Sequence, residues 1–323
     1  MQRSDRKVGI IVLNWNSWRD TIDCVSSVRK MAYQNYRLYV VDNASGDGSE
    51  EHLRQFDPTL TIIQSGSNLG WAGGNNVGIR AALAGGCEHV YLLNSDARVR
   101  VDTLNYLVEA TELPCAAALG SMVVAESNPE WVEFAGSKID PRTHHPLHIY
   151  CNLVEQAQNP KAVPTVAVKG CSMLLTGAAL EKVGLLSDEY FLNYDETDWC
   201  YRAAARGMIN YFVPASVVSH RGAGSFGGTE SPLYRYFITR NRLLFAHRCL
   251  DPQGRHFAWR ITLWEFKRAL VSSHGTRRTS LRHRLILALS VWFGLRDYCL
   301  NRLGDCPALV RRMNHRFVSS LRP

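Results

Sequence analysis

Val90-Tyr91-Leu92-Leu93-Asn94-Ser95-Asp96 decides how this chain is read. Four apolar residues, suited to a strand buried on both faces, run into a short polar stretch that ends in a carboxylate. In an open α/β sheet, ligands sit beyond the carboxyl ends of the strands. An aspartate at such an end is placed to hold a divalent cation against a phosphate. The same construction stands upstream. Val8 to Leu13 reads as a first buried strand, Leu38 to Val41 as a second that ends at Asp42, and Leu60 to Ile63 as a third. Helical stretches alternate with them. One opens at Ser17, with Ser17 as its cap and Asp20 three residues on, and runs to about Lys30; others cover 50–56 and Trp71 to Leu83. This alternation predicts a three-layer α/β fold with a parallel sheet.

Past about residue 115 the pattern loosens. Alternating segments near 117–124 and 164–176 predict further strands of a mixed sheet, with a Pro/His-rich loop between them. A helix starting near Thr197 reaches Arg206-Gly207, and an apolar strand covers Tyr211 to Val218. Gly222 to Pro232 is a glycine-rich loop, and the chain beyond it is helical and basic.

With 323 residues the chain can bury a large core and hold one large domain or two smaller ones. Charge is unevenly spread. From Arg240 onward there are 17 Lys and Arg against 4 Asp and Glu, while the first 239 residues carry 20 against 25. An acidic body with a basic tail points to an anionic surface that meets the tail alone. Nine scattered cysteines show no Cys-x-x-Cys pair and no zinc spacing, which reads as reduced thiols in a cytoplasmic protein. The polar N-terminus passes straight into a strand too short for a signal-peptide core. The longest apolar run, Leu285 to Leu295, has 11 residues against the roughly 20 that span a bilayer.

Five stretches carry chemistry. Asp42-Asn43-Ala44-Ser45-Gly46-Asp47 can present a carboxylate to the ring N–H of a uracil- or thymine-type base; the same residues also suit an Asx turn that merely ends the strand. Asn68-Leu69-Gly70-Trp71-Ala72-Gly73-Gly74-Asn75-Asn76 opens a helix with small residues, which suits either close approach of an anionic ligand or tight packing on the sheet. It is neither a Gly-x-Gly-x-x-Gly motif nor a P-loop. Asn94-Ser95-Asp96 offers one hard carboxylate for Mg²⁺ or Mn²⁺, or a helix-capping aspartate. Asp195-Glu196-Thr197-Asp198 clusters carboxylates that raise one another's proton affinity, as a general base requires; a solvated helix start has the same composition, but Tyr190, Phe191, Tyr194 and Trp199 wall the run in. His220 stands between a strand and the glycine-rich loop, as a ligand or as a structural histidine.

Taken in order, Asp42-Asn43-Ala44-Ser45, Asn68 to Asn76, Leu93-Asn94-Ser95-Asp96, Asp195-Glu196-Thr197-Asp198-Trp199 and the pair Arg240-Asn241 resemble family-2 glycosyltransferases of GT-A fold. The branch resembled is the rhamnosyltransferase-like and galactofuranosyltransferase-like one, which builds bacterial surface polysaccharide, over about residues 8–248. The resemblance implies an inverting, metal-dependent hexosyltransferase with a mixed central sheet in a catalytic domain over 1–245 and a basic helical region over 246–323. Asp42 would bind the nucleotide base, and Asn14, Asn68, Gly70, Gly73, Asn76, Asn94 and Arg240 would line the donor. Asp96 and His220 would hold Mg²⁺ or Mn²⁺ on the diphosphate. The family usually has Glu-Asp where this chain has Asp195-Glu196, so either residue can be the base, with Asp198 contacting the acceptor or orienting the base. The donor would be a dTDP- or UDP-linked sugar, rhamnose-like or another hexose, and the acceptor a glycan or a polyprenyl-diphosphate-linked lipid. Without the Gln-x-x-Arg-Trp signature of processive synthases, the chain is expected to add one or few sugars.

Trp259, Leu263, Phe266 and Leu270 fall on one helical face, and Arg282, Arg284 and Arg296 flank the run 285–295. Such helices suit either an anionic membrane surface, as a peripheral protein on the inner face of the cytoplasmic membrane, or packing on the catalytic core. No nucleic-acid-binding module accompanies the charge. Two other functions use similar parts. A nucleotidyltransferase would carry a Gly-rich, basic loop after strand one, where Asn14-Trp15-Asn16-Ser17 stands instead. A non-catalytic nucleotide-sugar-binding scaffold of a polysaccharide assembly would keep the donor residues without turnover.

Overall fold

The computed structural model describes residues 5–149, 161–222, 228, 231–271 and 281–319. The chain divides into two compact units, one of residues 1–139, 146–188 and 195–222, the other of 140–145, 189–194 and 223–323.

The first unit is built on a ten-stranded mixed sheet. Strands β1 (Val8–Asn14), β2 (Tyr36–Asp42), β3 (Thr61–Gln64) and β4 (His89–Asn94) form its parallel half, in the order β4-β1-β2-β3. β11 (Ser172–Thr176) runs antiparallel beside β4 and β6 (Ala116–Ala125) antiparallel beside β11, while β12 (Ile209–His220) lies parallel to β6. β10 (Val163–Thr165) and β5 (Ala97–Val99) pair with β12, and β7 (Asn128–Phe134) with β6. A separate ribbon joins β8 (Ser137–Ile139) to β9 (Pro146–His148).

Side chains alternate between faces along a strand, so the apolar runs feed two cores. Ile10, Val12, Leu38, Val40, Tyr91 and Leu93 pack with Cys24, Val25, Leu53, Leu104 and Leu107 of helices α1 (Trp18–Val28), α2 (Ser49–Phe56) and α4 (Thr103–Ala110). Ile11, Tyr39, Val41, Val90 and Leu92 pack on the opposite face with Ile79, Ala82, Leu180, Trp199 and Ala203 of α3 (Gly70–Ala84), α5 (Gly177–Val183) and α6 (Asp195–Ala204). The expected three-layer α/β fold with a mixed central sheet is therefore observed. The glycines of α3 let it lie on β1: a Cβ on Gly74 would stand 2.5 Å from Leu13 Cδ1, and one on Gly78 2.5 Å from Ile11 Cγ2. Tight packing is the use this structure makes of them.

Some expectations are corrected. Ser17 precedes α1 but makes no side-chain cap; its hydroxyl meets Asn14 Oδ1 and Ser95 Oγ instead. The alternating segment near 164–176 holds parts of two strands with different partners, β10 and β11. α4, β5 and β7 are additions, each too short for its periodicity to stand out. α6 starts at Asp195 rather than near Thr197. Most of the Gly222–Pro232 loop and Cys151 lie outside the described residues, and the other eight cysteines are free thiols.

The second unit is helical: α7 (Pro232–Cys249), α8 (Pro252–Val271), α9 (Leu281–Cys299) and α10 (Ala308–Ser319). Ser231 caps α7 by accepting from the Tyr234 amide, with Pro232 in the first turn. The sequence-derived boundary at 245/246 falls inside α7. Arg242 forks onto both Glu265 carboxylate oxygens of α8, and Tyr236 donates to the buried Asp297 of α9. The expected apolar face of α8 divides, with Phe266 packing beside Ala269 and Leu287 while Leu263 and Leu270 are exposed. Among the described residues, no helix is long and apolar enough to cross a membrane.

Candidate active site

Parallel pairing brings Asn14, Asp42 and Gln64 into one row at the carboxyl edge of the sheet, with Asn94 beside Leu13. Asp42 lies at the centre of this row and is 2% exposed. Its Oδ1 accepts from Asn14 Nδ2 at 3.0 Å, from the Ser45 amide at 3.3 Å and from Ser45 Oγ, and its Oδ2 accepts from Gln64 Nε2 at 2.8 Å. A cleft of about 770 Å³ opens here, lined by Asp42, Ser45, Glu50, Arg54 and Gln64 among others. Asn14, expected to line the donor, is fully buried: its amide donates to Asp42 and Ser45, and its oxygen accepts from Thr21 and Ser17. It orients Asp42 and offers nothing outward.

The loop after β2 is interlocked with the start of α3. Asn43 donates to Asn68 Oδ1 and to the Gly70 carbonyl and accepts from the Leu69 amide, while Asn68 Oδ1 also accepts from the Gly70 amide. Gly70 sits at φ +72°, a left-handed turn that opens the helix without strain. Other residues expected on the donor have different tasks. Gly73 is buried, its missing Cβ facing Leu69 at 2.8 Å. Asn76 uses both ends of its amide on the Leu186 backbone, at 2.9 and 3.1 Å, tethering that segment to α3. Asn94 accepts from Trp71 Nε1 at 2.8 Å, which ties the end of β4 to the same helix.

Asp96 and His220 do meet. His220 ends β12 opposite Ala97 of β5, and its Nε2 lies 3.3 Å from Asp96 Oδ1. Nδ1 lies 3.2 Å from Glu133 Oε2 on β7, and Glu133 in turn accepts from Lys169 Nζ at 2.7 Å. Glu133 and Lys169 were not read from sequence; the one trace is a carboxylate standing between Val132 and Phe134. Burial alone would lower the imidazole pKa, yet the Cys171 sulfur and the hydrogen bonds to Asp96 and Glu133 carry it to about 10. The hydrogen bond from His220, against opposing burial, and then that from Lys169 hold the Glu133 carboxyl down at about 2. Burial would raise Asp96, and the His220 contact outweighs it, leaving the carboxyl below its ordinary value. A carboxylate on one ring nitrogen is the usual way a protein fixes the other as a ligand. Among the described residues, no three His, Cys, Asp or Glu side chains converge as a metal site. Held between two carboxylates, the ring would have to give up a proton before Nε2 could bind a metal; with that proton gone, the pair would suit a hard cation that takes few protein ligands and completes its shell with water and phosphate oxygen.

The carboxylate run divides by depth. Asp195 is 2% exposed; its Oδ1 accepts from the Glu196 amide at 3.2 Å, while Oδ2 is buried without a partner. Burial, and then the Glu196 charge, push its carboxyl well above the ordinary range. Glu196 is half-buried, and its charge opposes the lowering that burial imposes on His148. Asp198, expected at the acceptor, is buried and accepts from Arg202 Nε at 2.7 Å, and Arg202 also donates to the Val183 and Leu185 carbonyls. Its observed task is to fasten α6 to the end of α5. Arg240, expected at the donor, belongs to the second unit and is fully buried, with its guanidinium committed to protein acceptors.

The sequence model described as glycosyl transferase family 2 matches residues 9–172. The dTDP-rhamnosyl transferase RfbF of Shigella flexneri is 23% identical over 229 residues, covering 68% of this chain and 74% of that protein. The N-acetylglucosaminyl-diphospho-decaprenol L-rhamnosyltransferase of Mycobacterium tuberculosis is 23% identical over 269 residues, covering 76% and 84%. Among solved structures, GalNAc-T7 with UDP, GalNAc and Mn²⁺ superposes with a TM-score of 0.57 at 15% identity over 79% of this chain. This chain spans about half of that one, 54%. The likeness is one of fold, the GT-A type that the motifs led us to expect.

Proposed function

The chain belongs to glycosyl transferase family 2, and from that premise we propose that it moves a rhamnose-like deoxyhexose from a dTDP- or UDP-linked donor to a lipid-linked or glycan acceptor, with inversion. The observation that carries this reading is a single unit holding Asp42 on the edge of a 770 Å³ cleft, the Asp96–His220 pair, and a half-buried Glu196 beside a buried Asp195. The donor and acceptor classes take their support from the names of the two rhamnosyltransferase relatives.

Asp42, already fixed by four hydrogen bonds, presents Oδ2 to the ring N–H of the base. Asp96 and His220 would hold a divalent cation, Mg²⁺ or Mn²⁺, which supplies charge neutralisation to the departing diphosphate. Of the two candidate bases, Glu196 is the better placed, because it is half-buried while Asp195 is buried and its carboxyl is pushed above the ordinary range by burial and by the Glu196 charge. Glu196 takes the proton from the acceptor hydroxyl as that oxygen attacks the anomeric carbon from the face opposite the diphosphate. The carbon–oxygen bond to the nucleoside diphosphate breaks, and the diphosphate leaves with the electron pair.

Calorimetric titration of dTDP-rhamnose, UDP-galactofuranose and UDP-hexoses, with and without Mn²⁺, tests the donor. Product NMR tests inversion. We expect tight binding for one donor only when Mn²⁺ is present, and a product of opposite anomeric configuration. Binding indifferent to both base and cation would overturn the reading.

Leu281, Leu285, Leu289 and Trp292 recur at helical spacing on α9 and are 62, 47, 46 and 44% exposed, with Arg282 and Arg296 on the same helix. We propose that this face, in a tail with 17 basic residues against 4 acidic ones, rests on an anionic bilayer on the cytoplasmic side, where a lipid-linked acceptor is found. Leu289→Glu should weaken sedimentation with phosphatidylglycerol vesicles by roughly tenfold or more, the worth of one buried leucine. Unchanged sedimentation, or a concentration-dependent dimer in place of vesicle binding, would sink the proposal.

A further inference from the structure

Arg240-Asn241 is the one motif that the reaction scheme leaves without a task, and its geometry supplies one. All five guanidinium N–H groups of Arg240 have acceptors: Nε to Asn241 Oδ1 at 2.9 Å, one terminal nitrogen to Tyr236 Oη at 3.3 Å and the Gly304 carbonyl at 2.6 Å, the other to the Glu189 and Tyr190 carbonyls at 3.2 and 2.9 Å. Asn241 Nδ2 donates to the carbonyls of Tyr190, Leu192 and Asn193 at 2.9, 2.6 and 3.0 Å. The Gly304 amide closes the ring by donating to the Glu189 carbonyl at 2.7 Å. Two neighbouring side chains on α7 thus grip nearly every carbonyl from Glu189 to Asn193.

What they grip is a strained stretch. Phe191, Asn193 and Tyr194 sit at φ +62°, +63° and +71°, a region that residues with a Cβ avoid. Phe191 stacks on Phe237 with centroids 5.3 Å apart, and Tyr194 leans on Phe245 at 5.2 Å. Three such residues in four persist only where their surroundings over-determine them, and such strain concentrates at working sites. The residue that follows Tyr194 in the chain is Asp195, and the next is Glu196.

We propose that Arg240 and Asn241 are positioning residues, a clamp on the 189–194 backbone, which the Tyr194–Asp195 peptide bond joins directly to the Asp195–Glu196 carboxylates. The inference rests on the transferase reading given above and assigns Arg240 to the protein rather than to the donor. Because the clamp acts on backbone carbonyls, its loss moves the proton acceptor without touching donor groups.

The test uses Asn241→Ala and Arg240→Lys in the full chain, the second retaining the buried cation while losing the five-donor fork. Each should lower kcat by roughly tenfold to a hundredfold, as a small displacement of a reacting group does. Donor Kd by calorimetry should stay at the wild-type value, and hydrogen exchange should accelerate at the amides of Leu192, Asn193 and Tyr194. A variant needed only for folding would instead lose donor affinity and kcat together. Wild-type kcat in either variant, or an equal loss of donor binding and turnover in both, overturns the clamp. If the wild-type chain transfers no sugar at all, the transferase reading falls on its own, and unchanged exchange at 192–194 would still refute the clamp separately.

Discussion

Asp42 and Asp195 are both buried, each 2% exposed, and the fold treats them in opposite ways. Asp42 ends a strand in regular backbone and accepts hydrogen bonds from Asn14, Ser45 and Gln64. Asp195 follows three left-handed residues, leaves one oxygen without a partner, and is pushed toward its protonated form by burial and by Glu196. A carboxylate whose two oxygens are both oriented by protein donors, with acceptor capacity left on Oδ2, is a rigid recognition element that costs little to organise when a ligand arrives. A carboxyl held where it resists ionisation marks a place where proton affinity is being set. On the transferase reading proposed above, recognition falls to the sheet edge and chemistry to the start of α6.

The largest break in that division is expected from Glu196→Gln. The substitution keeps size and removes proton-accepting capacity, so kcat should fall by about 10²–10⁴-fold, the usual worth of a positioned general base. Donor binding, a property of the sheet edge, should hold within about twofold. Steady-state turnover and calorimetry on one preparation decide it. Equal turnover in the two proteins removes Glu196 from the reaction and leaves the nucleotide-sugar scaffold as the better reading.

Glu133→Gln sharpens the recognition side. Glu133 touches His220 and Lys169, so it acts on the cation pair through the imidazole. Loss of the orienting carboxylate should weaken Mn²⁺ affinity by roughly 10–100-fold. Binding of the free nucleoside, which needs Asp42 and no cation, should be unchanged. Mn²⁺ titration followed by electron paramagnetic resonance reads the first, calorimetry the second. A variant with wild-type Mn²⁺ affinity would leave Glu133 a purely structural ion-pair partner.

The two regions were also unequally legible in the sequence. The parallel half could be read because each of its strands is an apolar run ending in a polar residue, and the register then lines up Asn14, Asp42 and Gln64 without further information. The Asp96–His220 meeting is implied by the family resemblance and not by the residues alone, since the contact depends on β5 and β12 pairing across more than a hundred residues. Glu133 escaped because an isolated carboxylate in a short strand has no local signal, and its meaning comes from partners 36 and 87 positions away. Asn14, Asn76, Asp198 and Arg240 have protein partners that the sequence does not announce. Motif position says that a polar side chain is needed, whereas its acceptors, such as the Leu186 backbone or the carbonyls from Glu189 to Asn193, are known only once the chain is folded.

Asp195→Asn gives the smallest effect and the most specific one. In the folded chain the Asp195 carboxyl titrates above its ordinary value. Below about pH 4 it is protonated in both folded and unfolded chains, and its contribution to stability is fully present. As pH rises past the unfolded value, the unfolded chain releases the proton while the folded chain keeps it. Stability then falls by about 1.4 kcal/mol per pH unit until the folded group also ionises. Asparagine has the shape of the protonated acid and no such slope. The variant and the wild type should therefore unfold at similar temperatures near pH 3.5, and the variant should unfold a few degrees higher at pH 7. Thermal unfolding at the two pH values measures this directly. A constant offset between the two proteins would mean that Asp195 titrates alike in the folded and unfolded chains, and the contrast with Asp42 would lose its physical basis.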